Sequence, residues 1–338
     1  MRHKLIGVLA SAALISTAFA GPAQAQEQIT AGGASYTNAL QQVCTQAYTT
    51  HKVTYASVGS GTGKRNFRGG TYDFGGSDSL YGPTEAKPSN FVYVPLLGGP
   101  VTIAFNLPGV TRLNLTPKMV GDIYLGNITK WNDPAIVKIN KTANLPDQVI
   151  TPVYRSDGSG TSYNFTNWLS QKYKAPFKAT DAFQTTAGSG ALVKGAVASP
   201  QNSGVATSIK ATLGAMGYID IADADKAGLN YAYLQNSAGQ FIKATIPASK
   251  LYLEKQLLKA NGEVVFDYNM KVRGAYDLSL VSYGLAPTKN GTSKAAAIAN
   301  YLSFFVNTCS PQNAAAQGYV ALSGTLLRKA NEAIKKIK

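Results

Sequence analysis

The tightest constraint on the fold lies between Val149 and Phe165. An apolar strand, Val149 to Tyr154, runs through Arg155-Ser156-Asp157-Gly158-Ser159-Gly160-Thr161 into an amphipathic helix marked by Phe165, Trp168 and Leu169. A strand that turns so quickly into a helix is the repeating step of an α/β sheet. Amide groups at the start of such a helix have no partner within it, and the aligned peptide dipoles leave that end partly positive. Gly158 and Gly160 let a guest approach the backbone, the Ser159 and Thr161 hydroxyls add donors, and Arg155 brings a planar fork suited to a tetrahedral oxyanion. Taken alone, Ser159 or Thr161 is equally well a routine helix cap. The device recurs, however. Ala31-Gly32-Gly33-Ala34-Ser35-Tyr36-Thr37 precedes the helical run Asn38 to Thr50, and Ser57-Val58-Gly59-Ser60-Gly61-Thr62-Gly63-Lys64 precedes Arg65 to Arg68. Three such loops, each opening a helix, can converge on one anion.

The chain begins as an export signal: Arg2, His3 and Lys4, an apolar stretch Leu5 to Ala20, then Ala23-Gln24-Ala25 as a small-x-small cleavage site before Gln26. The apolar run is short and stops at Gly21-Pro22, which disfavours a membrane-spanning helix. No cysteine follows the cleavage site to carry a lipid anchor, and no later stretch approaches the ~18 uninterrupted apolar residues of a membrane span. The expectation is a soluble, exported protein.

The remainder exceeds what one core usually fills, so two domains are expected. Removing Arg2 and Lys4 lowers the formal net charge from +15 to +13, a field that attracts anions. A nucleic-acid binder would gather its Lys and Arg on one face; here they are scattered, apart from the tail Arg328 to Lys338, which reads as a surface helix on the spacing of Leu326, Leu327, Ala330 and Ile334. Cys44 and Cys309, the two cysteines, can pair in an oxidising compartment, with a stabilisation of roughly 4–5 kcal/mol on the chain-entropy model; two buried free thiols are the alternative.

Histidine excludes by its scarcity. After cleavage only His51 remains, so a Ser-His-Asp triad or a His-rich zinc site has almost nothing to draw on. The Gly59–Lys64 segment hints at a Walker loop, but Val58 and Arg65 stand where that pattern needs Gly and Ser/Thr. No Gly-x-Ser-x-Gly elbow follows an apolar strand, and Asp73-Phe74-Gly75 lacks every other kinase element. Phe74 among small neighbours reads as a short buried strand ending at Ser77-Asp78. A carboxylate beside an anion site makes sense if the anion carries a proton. Phosphate near neutral pH keeps at least one P–OH donor for Asp78 to accept, and sulfate has none. Sites built around a substrate O–H reject analogues lacking it by about 10⁴–10⁵-fold. From that segment alone, Asp78 reads first as a strand-end turn residue.

These pieces, in order, resemble the PstS family of periplasmic phosphate-binding proteins that feed an ABC transporter. Ala31 to Tyr36 resembles its A-G-A-T-F opening, Val58 to Gly63 its G-S-S-G-G loop, and Asp73 to Asp78 its D-F-G-A-S-D. Gly121 to Pro134 is similar to G-D-I-Y-L-G-K-I-x-x-W-x-D, Arg155 to Thr161 to R-x-D-G-S-G-T, and Gly214 to Tyr218 to P-G-A-I-G-Y. The resemblance implies phosphate contacts from Ser35 (hydroxyl and N–H), Tyr36 (N–H), Ser60 (hydroxyl and N–H), Asp78 (accepting the phosphate proton), Arg155 (a forked ion pair), and Ser159, Gly160 and Thr161 (donors at the helix start). Asp157 would orient Arg155 without touching the ligand. Ser35 stands for the family's Thr and Tyr36 for its Phe; the Thr62 hydroxyl, in a loop that departs from Ser-Ser-Gly, is left open.

The implied fold is α/β: a two-lobed periplasmic binding protein, each lobe a mostly parallel sheet flanked by helices, joined by a two-strand hinge read from Asn90–Asn106 and Asp277–Ala286. Residues 26–99 with 278–338 would form lobe one, bringing Cys44 and Cys309 together, and 100–277 lobe two. Thr116 to Leu125 reads as a helix, Ala211 to Leu213 as a helix end before the strand Gly217 to Ile221, and Ala182 to Ser203 as loop with one short helix near Leu192 to Val197. Trp131 and the tyrosines read as packing. The implied function is high-affinity binding of inorganic phosphate by a monomer, for delivery to a membrane permease, with no cofactor, metal, nucleic acid or catalysis. Another oxyanion on the same scaffold, sulfate or molybdate, or an exported phosphatase using Ser159 or Ser60, are the alternatives.

Overall fold

The computed structural model describes residues 26–173, 175–185, 194–288 and 294–338. The export segment read at 1–25 and Leu192, where a short helix was expected, lie outside the described residues. Two groups of parallel strands share one long strand. In the first, β1 (Gln28–Gly33) lies between β2 (Lys52–Ser57) and β3 (Phe74–Ser77). In the second, β5 (Thr151–Arg155) lies between β6 (Val197–Ser199) and β7 (Ala215–Asp220). The 15-residue β4 (Phe91–Phe105) joins them, its Val101–Phe105 end antiparallel to β7. Its earlier part runs antiparallel to β8 (Ser279–Pro287), which pairs with β3 on its other edge. The two-lobed α/β fold is therefore present, with parallel strands within each group and antiparallel ones bridging them. From Val94 onward β4 is buried throughout, as expected of a central strand covered on both faces.

Pro95 sits in this central strand, where a missing N–H would break a ladder. It does so at a bulge: the register of β4 against β8 shifts between Ser282 and Tyr283, and Tyr283 opposes Pro95. Bulges tolerate proline and re-aim neighbouring side chains; here the neighbour is Ser282.

Among the helices that flank the sheet are α1 (Asn38–Ala47), α2 (Ser60–Arg68), α3 (Pro117–Tyr124), α4 (Gly160–Lys172), α5 (Gln201–Ala211), α6 (Ala295–Phe304) and α7 (Gly324–Ile334). Several bounds differ from the sequence reading. Helix α1 stops at Ala47 rather than Thr50, with Tyr48 already extended. Ser60 to Lys64 forms the first turns of α2 instead of a loop before it. Two glycines argue against helix there by propensity, but tertiary packing overrides them: a Cβ on Gly63 would lie 2.5 Å from the Gly76 carbonyl oxygen. Val197 belongs to a strand, not a helix, and the strand expected at Gly217–Ile221 spans Ala215–Asp220. The tail forms α7, which buries Ala330, Ala333 and Ile334 and leaves Arg328 exposed. No helix among the described residues is long and apolar enough to cross a membrane.

Cys44 and Cys309 are joined by a disulfide, which removes the free-thiol alternative and ties α1 to the segment after α6. Both tryptophans are fully buried. Trp131 donates Nε1–H to the Gly214 carbonyl (2.9 Å) and Trp168 to Asp277 (3.1 Å), so neither indole strands a polar group in the core. Phe165 of α4 stacks on Tyr218 of β7 at 4.4 Å, with Tyr124 and Phe183 around the pair. This aromatic cluster fixes where α4 begins.

Candidate functional site

Two helix starts meet face to face. Helix α2 opens on Gly59, whose φ of 85° is a left-handed conformation natural to glycine. Helix α4 opens on Ser159, whose Oγ accepts the Ser162 N–H at 3.1 Å and so caps its own helix. The Gly61 N–H donates to the Gly158 carbonyl at 2.8 Å, joining the two turns directly. A Cβ on Gly160 would stand 2.7 Å from both Ser60 Oγ and Asp78 Cβ, so only glycine allows the second half of the chain to close on the first at this point. Ser60, Asp78, Gly160 and Thr161 are thereby brought together and buried.

Arg155 ends β5 and is 1 % exposed. Its Nε and Nη2 donate to the two Asp157 carboxylate oxygens (2.8 and 2.5 Å), and Nη1 to Asn202 Oδ1 (2.6 Å). The fork expected to face a ligand is therefore turned to Asp157. Of five guanidinium N–H groups three are engaged, leaving one on each Nη for a guest. Asp157 in turn accepts the Gln201 N–H (3.0 Å). Gln201 holds φ 58°, a left-handed conformation rare for a side-chain-bearing residue, at the first position of α5.

Asn202 was not legible in the sequence. Its amide donates to Asp220 (2.6 Å) while its carbonyl accepts from Arg155, and its backbone N–H reaches Ser35 Oγ (3.2 Å). One buried residue thus couples the cation in the second half to a hydroxyl in the first. Behind it, burial and then the nearby Asp223 charge push the Asp220 carboxyl well upward. The Tyr36 ring points away from the site. It packs on Tyr319 at 5.4 Å and its hydroxyl donates to Pro100 (3.1 Å), which leaves its backbone N–H as the expected contact.

Ser159 has a second partner beyond α4. Its N–H donates to the Asp181 carbonyl at 3.0 Å, so only its hydroxyl is left to a ligand. The Thr161 hydroxyl is buried with no hydrogen-bond partner among the described residues. Such a group costs about 1–3 kcal/mol when left unsatisfied, and it stands beside Asp78. Thr62 Oγ1 accepts from Arg65 on the exposed side of α2.

Asp78 is the titratable centre of the site. Burial pushes its carboxyl from an ordinary 3.8 up to about 7, against the opposing pull of the Ser282 hydroxyl, the Arg155 charge and Thr161, and with a further upward push from Asp181. Ser282 Oγ, opposite the β4 bulge, donates to Asp78 Oδ1 at 2.7 Å. Asn164 of α4 donates to the Asp78 carbonyl at 2.7 Å and to the Gly160 carbonyl at 2.9 Å, pinning the strand end to the opposing helix. A carboxyl poised near neutrality can share one proton with an anion that also carries one. His51, the remaining histidine, is elsewhere, accepting the Glu27 N–H at 3.3 Å.

Comparison with known proteins places this arrangement in a family. The PBP superfamily domain matches residues 18–308. The phosphate-binding protein PstS of Pasteurella multocida is 38% identical over 239 residues, 68% of this chain and 67% of that one. The PstS protein of Xylella fastidiosa is 32% identical over 285 residues, 80% of this chain and 75% of that one. Among solved structures, a high affinity periplasmic phosphate-binding protein (PfluDING) bound with phosphate superposes with a TM-score of 0.73 at 23% identity, covering 90% of this chain and 93% of that chain. The chain belongs to the PstS phosphate-binding protein family of the PBP superfamily.

Proposed function

We propose that this protein is an exported receptor for inorganic phosphate, working as a monomer in the periplasm and delivering its ligand to the permease of an ABC importer. Residues 26–99 with 278–338 act as one lobe and 100–277 as the other. Pro100, where β4 changes partner from β8 to β7, and the start of β8 at Ser279 support that division. The observation that carries the reading is the meeting of both helix starts, the two spare N–H groups of Arg155 and the near-neutral carboxyl of Asp78 in one buried place.

Ser35, Tyr36, Ser60, Gly160 and Thr161 supply hydroxyl and amide donors, Ser159 its hydroxyl, and Asp157 with Asn202 hold Arg155. Charge-assisted hydrogen bonds net ~1.5–3 kcal/mol each, and most of that sum offsets stripping water from the anion. A dissociation constant of micromolar or tighter, roughly −8 kcal/mol, follows. No cofactor or metal is needed, because Arg155 and the helix starts provide the positive potential. The same geometry supports binding without turnover: Ser159 Oγ is occupied as a cap, and no histidine stands beside Ser60 or Ser159 among the described residues.

One proton distributed between phosphate and Asp78 explains the choice of ligand. Sulfate brings none, so an ionised Asp78 would face it without a hydrogen bond. Titration calorimetry at pH 8 should show tight binding of phosphate and none of sulfate at the same concentration. Heat from sulfate and none from phosphate would overturn the reading.

A further inference from the structure

Lys64, noticed in the sequence only as the end of a broken Walker pattern, takes no part in the site above. It is nevertheless 1 % exposed. Its ammonium donates to the Leu80 carbonyl (3.2 Å), to Glu85 (2.7 Å) and to Asp181 (2.7 Å), which uses all three of its N–H groups. Leu80 and Glu85 belong to the same half of the molecule as Lys64, and Asp181 comes from the other half, after α4. Asp181 is held from both sides. Its carbonyl accepts the Ser159 N–H at the start of α4, and its Oδ2 accepts the Ser79 hydroxyl at 3.0 Å, one residue beyond Asp78.

The placement has a charge consequence. Asp181 lies close enough to Asp78 to act on it electrostatically, and its carboxylate would repel an anion at the neighbouring helix start unless a cation faced it. Lys64 is that cation. Glu85 holds the ammonium from the same half as Lys64, and Asp181 is the partner that comes from the other half. We propose that the Lys64–Asp181 pair is a latch across the cleft that sets how long the bound anion is retained, with Lys64 acting as a positioning residue that never touches it. The inference rests on the phosphate reading given above and adds a second, ligand-free contact to the closed form. The pair forms after the encounter, so it acts on release and leaves capture alone.

Stopped-flow measurement of phosphate association and release, made on the wild-type protein and on Asp181→Asn, tests this. The Asn keeps the backbone contact to Ser159 and the side-chain shape. Release should speed up by about tenfold or more while association changes less than about twofold, as expected when one partner of a desolvated pair is removed. The melting temperature without phosphate should be unchanged. Lys64→Met, read the same way, should speed release at least as much, with a lower melting temperature because Glu85 loses its partner. Unchanged release in Asp181→Asn, or a loss confined to association, overturns the latch. Should wild type bind no phosphate, the functional reading fails separately. The latch is then read from the distance between labels on Thr45 and Lys138 in the ligand-free protein. A smaller closed fraction in Asp181→Asn upholds it, and an equal one overturns it.

Discussion

Helices α2 and α4 begin with nearly the same residues, Gly59-Ser60-Gly61 and Gly158-Ser159-Gly160, yet they are used in different ways. The α4 start carries its own cap, through Ser159, and its cation precedes it: Arg155 is clamped by Asp157 and Asn202 through three of its five N–H groups. The α2 start has no side-chain cap, and its cation follows it; Lys64 turns away, to Glu85 and Asp181. Its share of the site is the Ser60 hydroxyl and the neighbouring acid Asp78, bound through the Asp78 N–H to Ser60 Oγ at 3.2 Å. On the phosphate reading, the same local device would serve attraction on one side and proton reading on the other. A lysine or arginine near a glycine-rich turn does not identify a ligand contact until its other partners are known.

The comparison can be broken at either helix. The largest effect is expected at the α4 side. Arg155→Met strands Asp157 and Asn202 as well as the anion, and loss of one partner of a buried pair costs about 3–5 kcal/mol, so phosphate affinity measured by calorimetry should fall by about 10³-fold. On the α2 side, Asp78→Asn tests the proton. Because the folded protein holds the Asp78 proton up to about pH 7 and the unfolded chain releases it near 3.8, ligand-free stability falls as pH rises between those values. The shift is worth on the order of 4 kcal/mol at about 1.36 kcal/mol per pH unit. Without phosphate, Asp78→Asn should therefore melt higher than wild type at pH 8 and lose that advantage near pH 4, while sulfate rejection weakens. A flat difference across pH would show that Asp78 does not carry the proton.

A smaller loss is expected at Asn202→Ala, which frees one Arg155 N–H and removes the donor to Asp220 Oδ2: about 1.5–3 kcal/mol, or 10- to 100-fold in affinity. Ser60→Ala should cost least, about 1 kcal/mol or roughly fivefold, because the α2 amides remain. If Ser60→Ala weakens binding more than Asn202→Ala, the division of labour between the two helices is wrong.

What could be read from the sequence was local. Each strand-to-helix turn announces itself through Gly, Ser and Thr within a few residues, and Arg155 and Asp78 stand at the ends of their own strands. Asn202, Ser282 and Asp181 give no such signal, since their contacts to Arg155, Asp78 and Lys64 span 47, 204 and 117 residues. The first turns of α2 were misread for a related reason. Their glycines speak against helix, and the close backbone approach that requires Gly61 comes from Gly158, on another element. The partner of the Ser159 N–H gives no local signal either, because the carbonyl that takes it belongs to Asp181.

The covalent link described between α1 and the segment after α6 spans 265 residues of sequence. It makes the chain a closed ring in which the whole of β4 to β8 is strung between two points that never separate. Closing so large a loop opposes the pairing of β8 with β3 and β4, and in the oxidised chain the link shortens that closure before folding begins. Refolding from denaturant with the ring intact should thus outpace refolding of the reduced chain, and the gain should appear in the assembly of the β3–β8–β4 ribbon, with the βα turns around Ser60 and Ser159 left to fold at their own rate.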